Sequence, residues 1–183
     1  GAPVEAMRES VLVTGVGGPS GVAAVAALRS KGFTVTGVDM RVVPHEADFF
    51  FQVPAALDPS YVPALHELVA AQKVSWLVPT VSEELVKIAL AAAEFRRSGV
   101  GVYIGAPDPV RICNDKWDTA RALQSAGVAV PRSAIGEPDS PGVRALGFPL
   151  VSRPRVGRGG RGVVVHDKPG FAPVAPGPIW QEF

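Results

Sequence analysis

The sequence has one cysteine, Cys113, and three histidines in 183 residues. One thiol excludes an internal disulfide, and no Cys/His grouping has zinc-ligand spacing, so the expectation is a reducing, cytoplasmic setting without a structural zinc. Charge is sparse as well: Asp, Glu, Lys and Arg make up 19% of the chain and nearly cancel, leaving a formal net charge of +1. On that balance neither nucleic acid nor an anionic membrane is an expected partner. No apolar run reaches the roughly 18 residues of a spanning helix, and the start lacks the basic-then-apolar layout of a secretory leader. Residues 1–7 read as a tag remnant and are set apart from the fold.

What is present suffices for a core. Hydrophobic residues make up 47%, so the 20 glycines and 18 prolines act as punctuation between elements rather than as a mark of disorder. The β-rich run at residues 11–14 leads into a glycine turn, and Val22, Val25 and Leu28 then recur at helical spacing. A second β-branched run, residues 34–38, ends at Asp39, which completes a strand–helix–strand unit of a parallel sheet. The alternation continues with strands expected at 49–53, 75–78 and 102–104. The helices between them carry Leu65, Leu68 and Val69, then Leu85, Ile88, Ala92 and Phe95. Asp58-Pro59 reads as the start of the first of these helices, and Thr80 with Glu83 as a capping box for the second. Alternation through about Pro107 predicts a doubly wound α/β domain.

Past Pro107 the texture changes. A helix is expected to start near Asn114, followed by a spacer rich in turn residues and strands at 150–153, 163–166 and 179–181. The proline-rich residues 169–178 read as a loop. His45, His66 and His166 lack a partner pattern and read as surface or structural residues, while Trp117 and Trp180 read as core.

Two glycine loops carry the chemistry. In the first, Gly15, Gly17, Gly18 and Gly21 lie between strand and helix, where backbone amides and the helix dipole favour an anion. With Asp39 at the end of the next strand, this loop taken alone is compatible with a dinucleotide site and an NAD(P)-dependent oxidoreductase. No Tyr-x-x-x-Lys pair of short-chain reductases accompanies it. The second loop places Arg153, Arg155, Arg158 and Arg161 among Gly157, Gly159, Gly160 and Gly162, with no acid between them. Glycines let the backbone wrap oxygens and guanidinium groups bind them bidentately, which points to phosphate. A non-catalytic nucleotide- or RNA-binding module is the alternative on pattern alone.

The ordered motifs include the first glycine loop, Gly37-Val-Asp39, residues 78–84, Asn114-Asp-Lys116, residues 128–131, Gly147-Phe-Pro149, the arginine–glycine loop and Trp180-Gln-Glu-Phe183. Together they resemble the ATP-grasp superfamily, in particular its carbamoyl-phosphate-synthase-like members, the carboxylate–amine ligases. The resemblance implies a Rossmann-like pre-ATP-grasp domain at residues 8–107 that binds no NAD. It further implies linker helices at 108–130 and the first, incomplete lobe of an ATP-grasp fold at 131–183. By the same resemblance Lys116 and Arg153 reach the ATP phosphates, with Arg153 also the catalytic candidate. Gly157, Gly159, Gly160 and Gly162 close over the triphosphate, and Glu182 with Phe183 meets adenine. Gly17, Gly18, Thr80, Glu83 and Glu84 fall on the substrate side. The implied activity activates a small carboxylate as an acyl phosphate with ATP and Mg²⁺, for attack by an amine or similar nucleophile. A homodimer is compatible with it. The family's metal ligands belong to a second lobe that this chain does not carry, so no metal residue is assigned here and the chain by itself is expected to be inactive.

Overall fold

The computed structural model describes residues 9–170 and 177–183. The tag-remnant reading of residues 1–7 and most of the proline-rich loop lie outside the described residues. The chain divides into two compact units, Gly1–Pro107 and Asp108–Phe183.

In the first unit, strands β1 (Ser10–Thr14), β2 (Thr34–Asp39), β3 (Phe49–Gln52), β4 (Trp76–Val78) and β5 (Gly101–Val102) form a parallel sheet in the order β3-β2-β1-β4-β5. Helices α1 (Pro19–Ser30), α2 (Tyr61–Ala71) and α3 (Leu85–Arg97) make the crossovers. The central strand β1 is buried from Val11 to Thr14, as a parallel strand covered on both faces must be. Successive side chains point to opposite faces, and the core divides accordingly. Val11 and Val13 pack with Val16, Val25 and Val35 on the α1 side. Leu12 packs with Leu65, Val69, Ile88 and Phe95 of α2 and α3 on the other.

Three local details set the first unit's upper edge. At Gly21 a Cβ would lie 2.2 Å from the Gly15 carbonyl oxygen, so the helix can approach the turn this closely only without a side chain. The start expected at Asp58-Pro59 shifts to Tyr61, because the Asp58 carboxylate instead accepts from the Ser60 amide at 2.8 Å and hydroxyl at 2.6 Å. The capping box expected of Thr80 and Glu83 is corrected: α3 begins at Leu85 with Glu84 in the cap position and no side-chain cap bond. Thr80 Oγ1 donates to the Thr14 carbonyl at 2.7 Å instead, tying the end of β4 to the end of β1.

The second unit opens with α4 (Pro107–Asn114) and α5 (Lys116–Ser125). Strands β6 (Ser133–Ile135), β7 (Leu150–Arg153), β8 (Val164–His166) and β9 (Ile179–Glu182) form an antiparallel sheet in the order β6-β9-β7-β8. The short α6 (Pro141–Arg144) packs Val143 with Ala134, Leu146, Leu150 and Trp180 in the core. Trp180 is fully buried, and its indole N–H donates to the Gly136 carbonyl at 2.9 Å. His166 is buried too; its Nε2 lies 2.7 Å from Ser152 Oγ. Burial pushes its pKa below the ordinary value, opposed by the neighbouring Asp167. Among the described residues no helix is long and apolar enough to cross a membrane.

Candidate functional site

In the first unit the strand order reverses direction between β1 and β4, the switch point beside which open α/β sheets take ligands at the strands' carboxyl ends. Gly15 sits there with a φ of 60°, and a Cβ on it would meet Val81 at 2.5 Å and Thr80 Oγ1 at 3.0 Å. Gly17 is exposed and Gly18 half-buried beside the crevice, with Thr80 and Glu83 also half-buried. The turn is closed by the Gly18 amide on the Gly15 carbonyl at 2.9 Å.

Asp39 does not stand ready for a ribose. Its carboxylate accepts from the Gly17 amide at 3.1 Å and the Arg41 amide at 3.2 Å, so it satisfies the glycine turn's own donor. Val43 lies against Gly17, where a Cβ would come within 2.9 Å of its side chain. A pyrophosphate at that turn would compete with both groups.

Glu84, expected on the substrate side, is fully buried. Its carboxylate accepts from the Thr14 hydroxyl, the Tyr61 hydroxyl and, at 2.9 Å, the Val81 amide. Thr14 Oγ1 in turn accepts from the Thr80 amide at 2.9 Å. Burial raises the Glu84 pKa, with the hydrogen bonds from Thr14, Tyr61 and the backbone opposing it. Burial, then the Glu84 charge, pushes the Tyr61 hydroxyl far up, so it remains a donor. The cluster braces the floor of the crevice, and neither Thr14 nor Tyr61 carries a local sequence signal for that task.

In the second unit, Asp115 caps α5 by accepting from the amides of Trp117 at 2.8 Å and Asp118 at 3.2 Å. Lys116, the first helical residue, donates from Nζ to the carbonyls of Arg155 and Gly157, each at 3.2 Å. Burial lowers its pKa first, and the Arg153 cation lowers it further, against the Asp115 carboxylate. Arg153 is thus one of the charges that act on Lys116. On β7 and β9, Arg153 pairs in register with Ile179, and its guanidinium donates to the Gln181 side chain. Arg153 Nε is buried and has no hydrogen-bond partner among the described residues. A charged donor held in that state is suited to an incoming anion.

Between β7 and β8 the loop glycines Gly159, Gly160 and Gly162 have φ values of 62°, 69° and 71°, a backbone that other residues adopt at a cost. Gly157 lies at the loop's start and supplies a carbonyl to Lys116. At the end of β9 the Glu182 carboxylate is engaged by Arg132, with 2.8 Å from the Arg132 amide and 2.7 Å from Nε. Those bonds from Arg132 hold its pKa below the usual carboxylate range. Phe183 is exposed. Asp115, Arg132 and Gln181 were not singled out from the sequence; of the three only Asp115, just ahead of a helix, had a local signal.

No family model matches the chain. Over 150 residues it is 27% identical to the carbamoyl phosphate synthase large chain of Myxococcus xanthus, a match spanning 78% of this chain and 14% of that protein. Several solved structures share its fold. The L-amino acid ligase from Bacillus licheniformis matches 96% of this chain and 44% of its own at a TM-score of 0.75 and 15% identity. The N5-carboxyaminoimidazole ribonucleotide synthetase from Thermotoga maritima matches 96% and 46% at 0.68 and 19%. The fold is that of the amino-terminal part of the ATP-grasp superfamily. The first unit holds the parallel sheet with its switch-point crevice, and the second the antiparallel sheet with its glycine loop. The chain spans about one seventh of the carbamoyl phosphate synthase it matches and under half of these two solved chains.

Proposed function

We propose that this chain carries the nucleotide-phosphate contacts of an ATP-dependent carboxylate–amine ligase. The observation that supports the reading is Arg153 Nε, buried and without a partner among the described residues, beside a glycine loop whose Arg155 and Gly157 carbonyls each hold Lys116 Nζ at 3.2 Å. Like charges held at short range are stabilised when an anion enters between them. Lys116 would exchange its two loop carbonyls for phosphate oxygens, and the loop from Gly157 to Gly162 would wrap the triphosphate through its amides.

In the reaction proposed for the whole enzyme, a substrate carboxylate oxygen attacks the γ-phosphorus of ATP and ADP leaves. The amine then attacks the acyl carbon, inorganic phosphate leaves, and the amine gives up a proton. Positioning and charge neutralisation would supply the catalysis. The crevice edged by Gly17, Gly18, Thr80 and Glu83 is assigned to the small carboxylate, with buried Glu84 as the brace beneath it. Glu182, tied to Arg132, would fix the end of β9, leaving the backbone there and the exposed Phe183 for adenine. Among the described residues there is no group of three or more His, Cys, Asp or Glu that could hold a metal ion.

The test is a titration of the chain with ATP by nuclear magnetic resonance. Saturable binding is expected, weakened about tenfold or more by Lys116→Ala and by Arg153→Ala, the loss of one charge-assisted hydrogen bond. Variants that bind ATP as the parent does would remove the basis of the proposal.

A further inference from the structure

We propose that Arg155 is a positioning residue rather than a phosphate ligand: by pairing with Asp115 it neutralises that carboxylate and leaves Lys116 free to share one anion with Arg153. The inference rests on the reading of Lys116 and Arg153 as phosphate contacts.

In the sequence, Arg153, Arg155, Arg158 and Arg161 look like equivalent donors. The structure sets Arg155 apart from Arg153. Arg155 Nε lies 2.8 and 3.1 Å from the two oxygens of Asp115, and Nη2 lies 2.7 Å from Oδ2. A second carboxylate, Asp118, is 3.6 Å from the same Nη2. Asp115 is the more enclosed partner, its side chain 15% exposed against 35% for Arg155, so solvent screens the pair only in part. Burial works against the Asp115 charge, yet the hydrogen bonds from Arg155 and the α5 amides hold its pKa below the usual range. The same pair holds the Arg155 guanidinium above its ordinary value.

The arrangement has a mechanical and an electrostatic consequence. One carboxylate both starts α5 and anchors the chain leaving β7. The Lys116 amide donates to the Arg155 carbonyl at 3.0 Å beside that anchor, so the lysine backbone is fixed by two adjacent contacts. Without Arg155, the Asp115 carboxylate would act unopposed on its neighbour Lys116, whose charge it already favours. The ammonium would then be drawn toward the helix cap and away from Arg153, and the two-cation anion site would fall apart.

The experiment compares Arg155→Ala, Asp115→Asn and the double variant in the full chain. Asparagine retains a capping oxygen, so Asp115→Asn keeps α5 capped while removing the charge. Two readouts are taken: ATP affinity, and the Lys116 titration followed by carbon and nitrogen chemical shifts in the nucleotide-free protein. Arg155→Ala is expected to weaken ATP binding by about tenfold, while Asp115→Asn, which removes the charge that would draw Lys116 away, keeps the affinity within about twofold and restores it in the double variant, because the two residues are coupled. The Lys116 midpoint is expected to rise toward the ordinary lysine value in Arg155→Ala as the ammonium leaves Arg153. A directly liganding Arg155 would behave otherwise: the double variant would bind ATP as weakly as Arg155→Ala, because removing the Asp115 charge cannot replace a lost ligand. That result, or a Lys116 midpoint unmoved in Arg155→Ala, overturns the proposal. If Arg155→Ala does not fold, Arg155→Gln, alone and combined with Asp115→Asn, decides the same question. Should Lys116→Ala and Arg153→Ala bind ATP normally, the phosphate reading fails instead; the nucleotide-free titration keeps the two failures apart.

Discussion

Tyr61→Phe tests the brace beneath the first unit's crevice. Tyr61 is the first residue of α2, Glu84 precedes α3 and Thr14 ends β1, so one buried carboxylate joins three elements. Phenylalanine keeps the ring, which is 3% exposed, and deletes only the hydroxyl that donates to Glu84. Losing a hydrogen bond to a charged acceptor costs about 1.5–3 kcal/mol, against about 0.5–1.5 kcal/mol for a neutral one. The Glu84 pKa is raised in the folded state. Folding therefore holds the proton more tightly, and its contribution to stability is complete below the ordinary glutamate range and lost as pH rises through the raised value. The Tyr61 hydroxyl is one of the groups that pull that pKa down. Its removal raises the pKa further, so the variant's deficit should widen with pH, from about 1 kcal/mol in acid toward about 2 kcal/mol once Glu84 is ionised. Urea unfolding with linear extrapolation, repeated across the acid-to-neutral range, measures this. Glu84→Gln serves as the control that cannot titrate, and its stability should lose the corresponding slope. A Tyr61→Phe deficit equal at every pH, or a slope unchanged in Glu84→Gln, would refute the reasoning.

Gly21→Ala should destabilise the first unit by about 3 kcal/mol, at the upper end of overpacking losses, because the added methyl meets backbone atoms of Gly15 at 2.2 and 2.7 Å that cannot rotate away. A thermal melt reads it, and an unshifted midpoint contradicts the packing. In the loop between β7 and β8 the backbone bonds are long, 3.3 Å from the Arg161 amide to the Arg158 carbonyl and from the Val163 amide to the Gly160 carbonyl. Amides from Gly157 to Gly162 should exchange rapidly with solvent in the free chain and slow on addition of ATP; slow exchange without nucleotide counts against a closing loop.

The parallel sheet was legible because it is written in local patterns, whereas the ATP-grasp type of fold was reached through the resemblance that the ordered motifs carry. A strand buried on both faces must be apolar throughout, as β1 is from Val11 to Val13, and a helix against it must repeat its apolar residues every three or four positions. The loop glycines were legible for the same reason, since a positive φ is demanded of the residue itself. What could not be read locally was the choice of partner. Asp39 reads as a ribose ligand until β2 sets it beside the Gly17 amide. Glu84 reads, by resemblance, as a residue of the substrate side until α2 delivers Tyr61 and β1 delivers Thr14. Arg155 is one of four similar arginines until α5 presents Asp115, forty positions earlier in the chain. Glu182 is bound by Arg132 because β6 and β9 are neighbours across the sheet. Charge and hydrogen-bonding capacity belong to each residue, but which group satisfies them depends on strand register and helix docking, and those exist only in the tertiary structure.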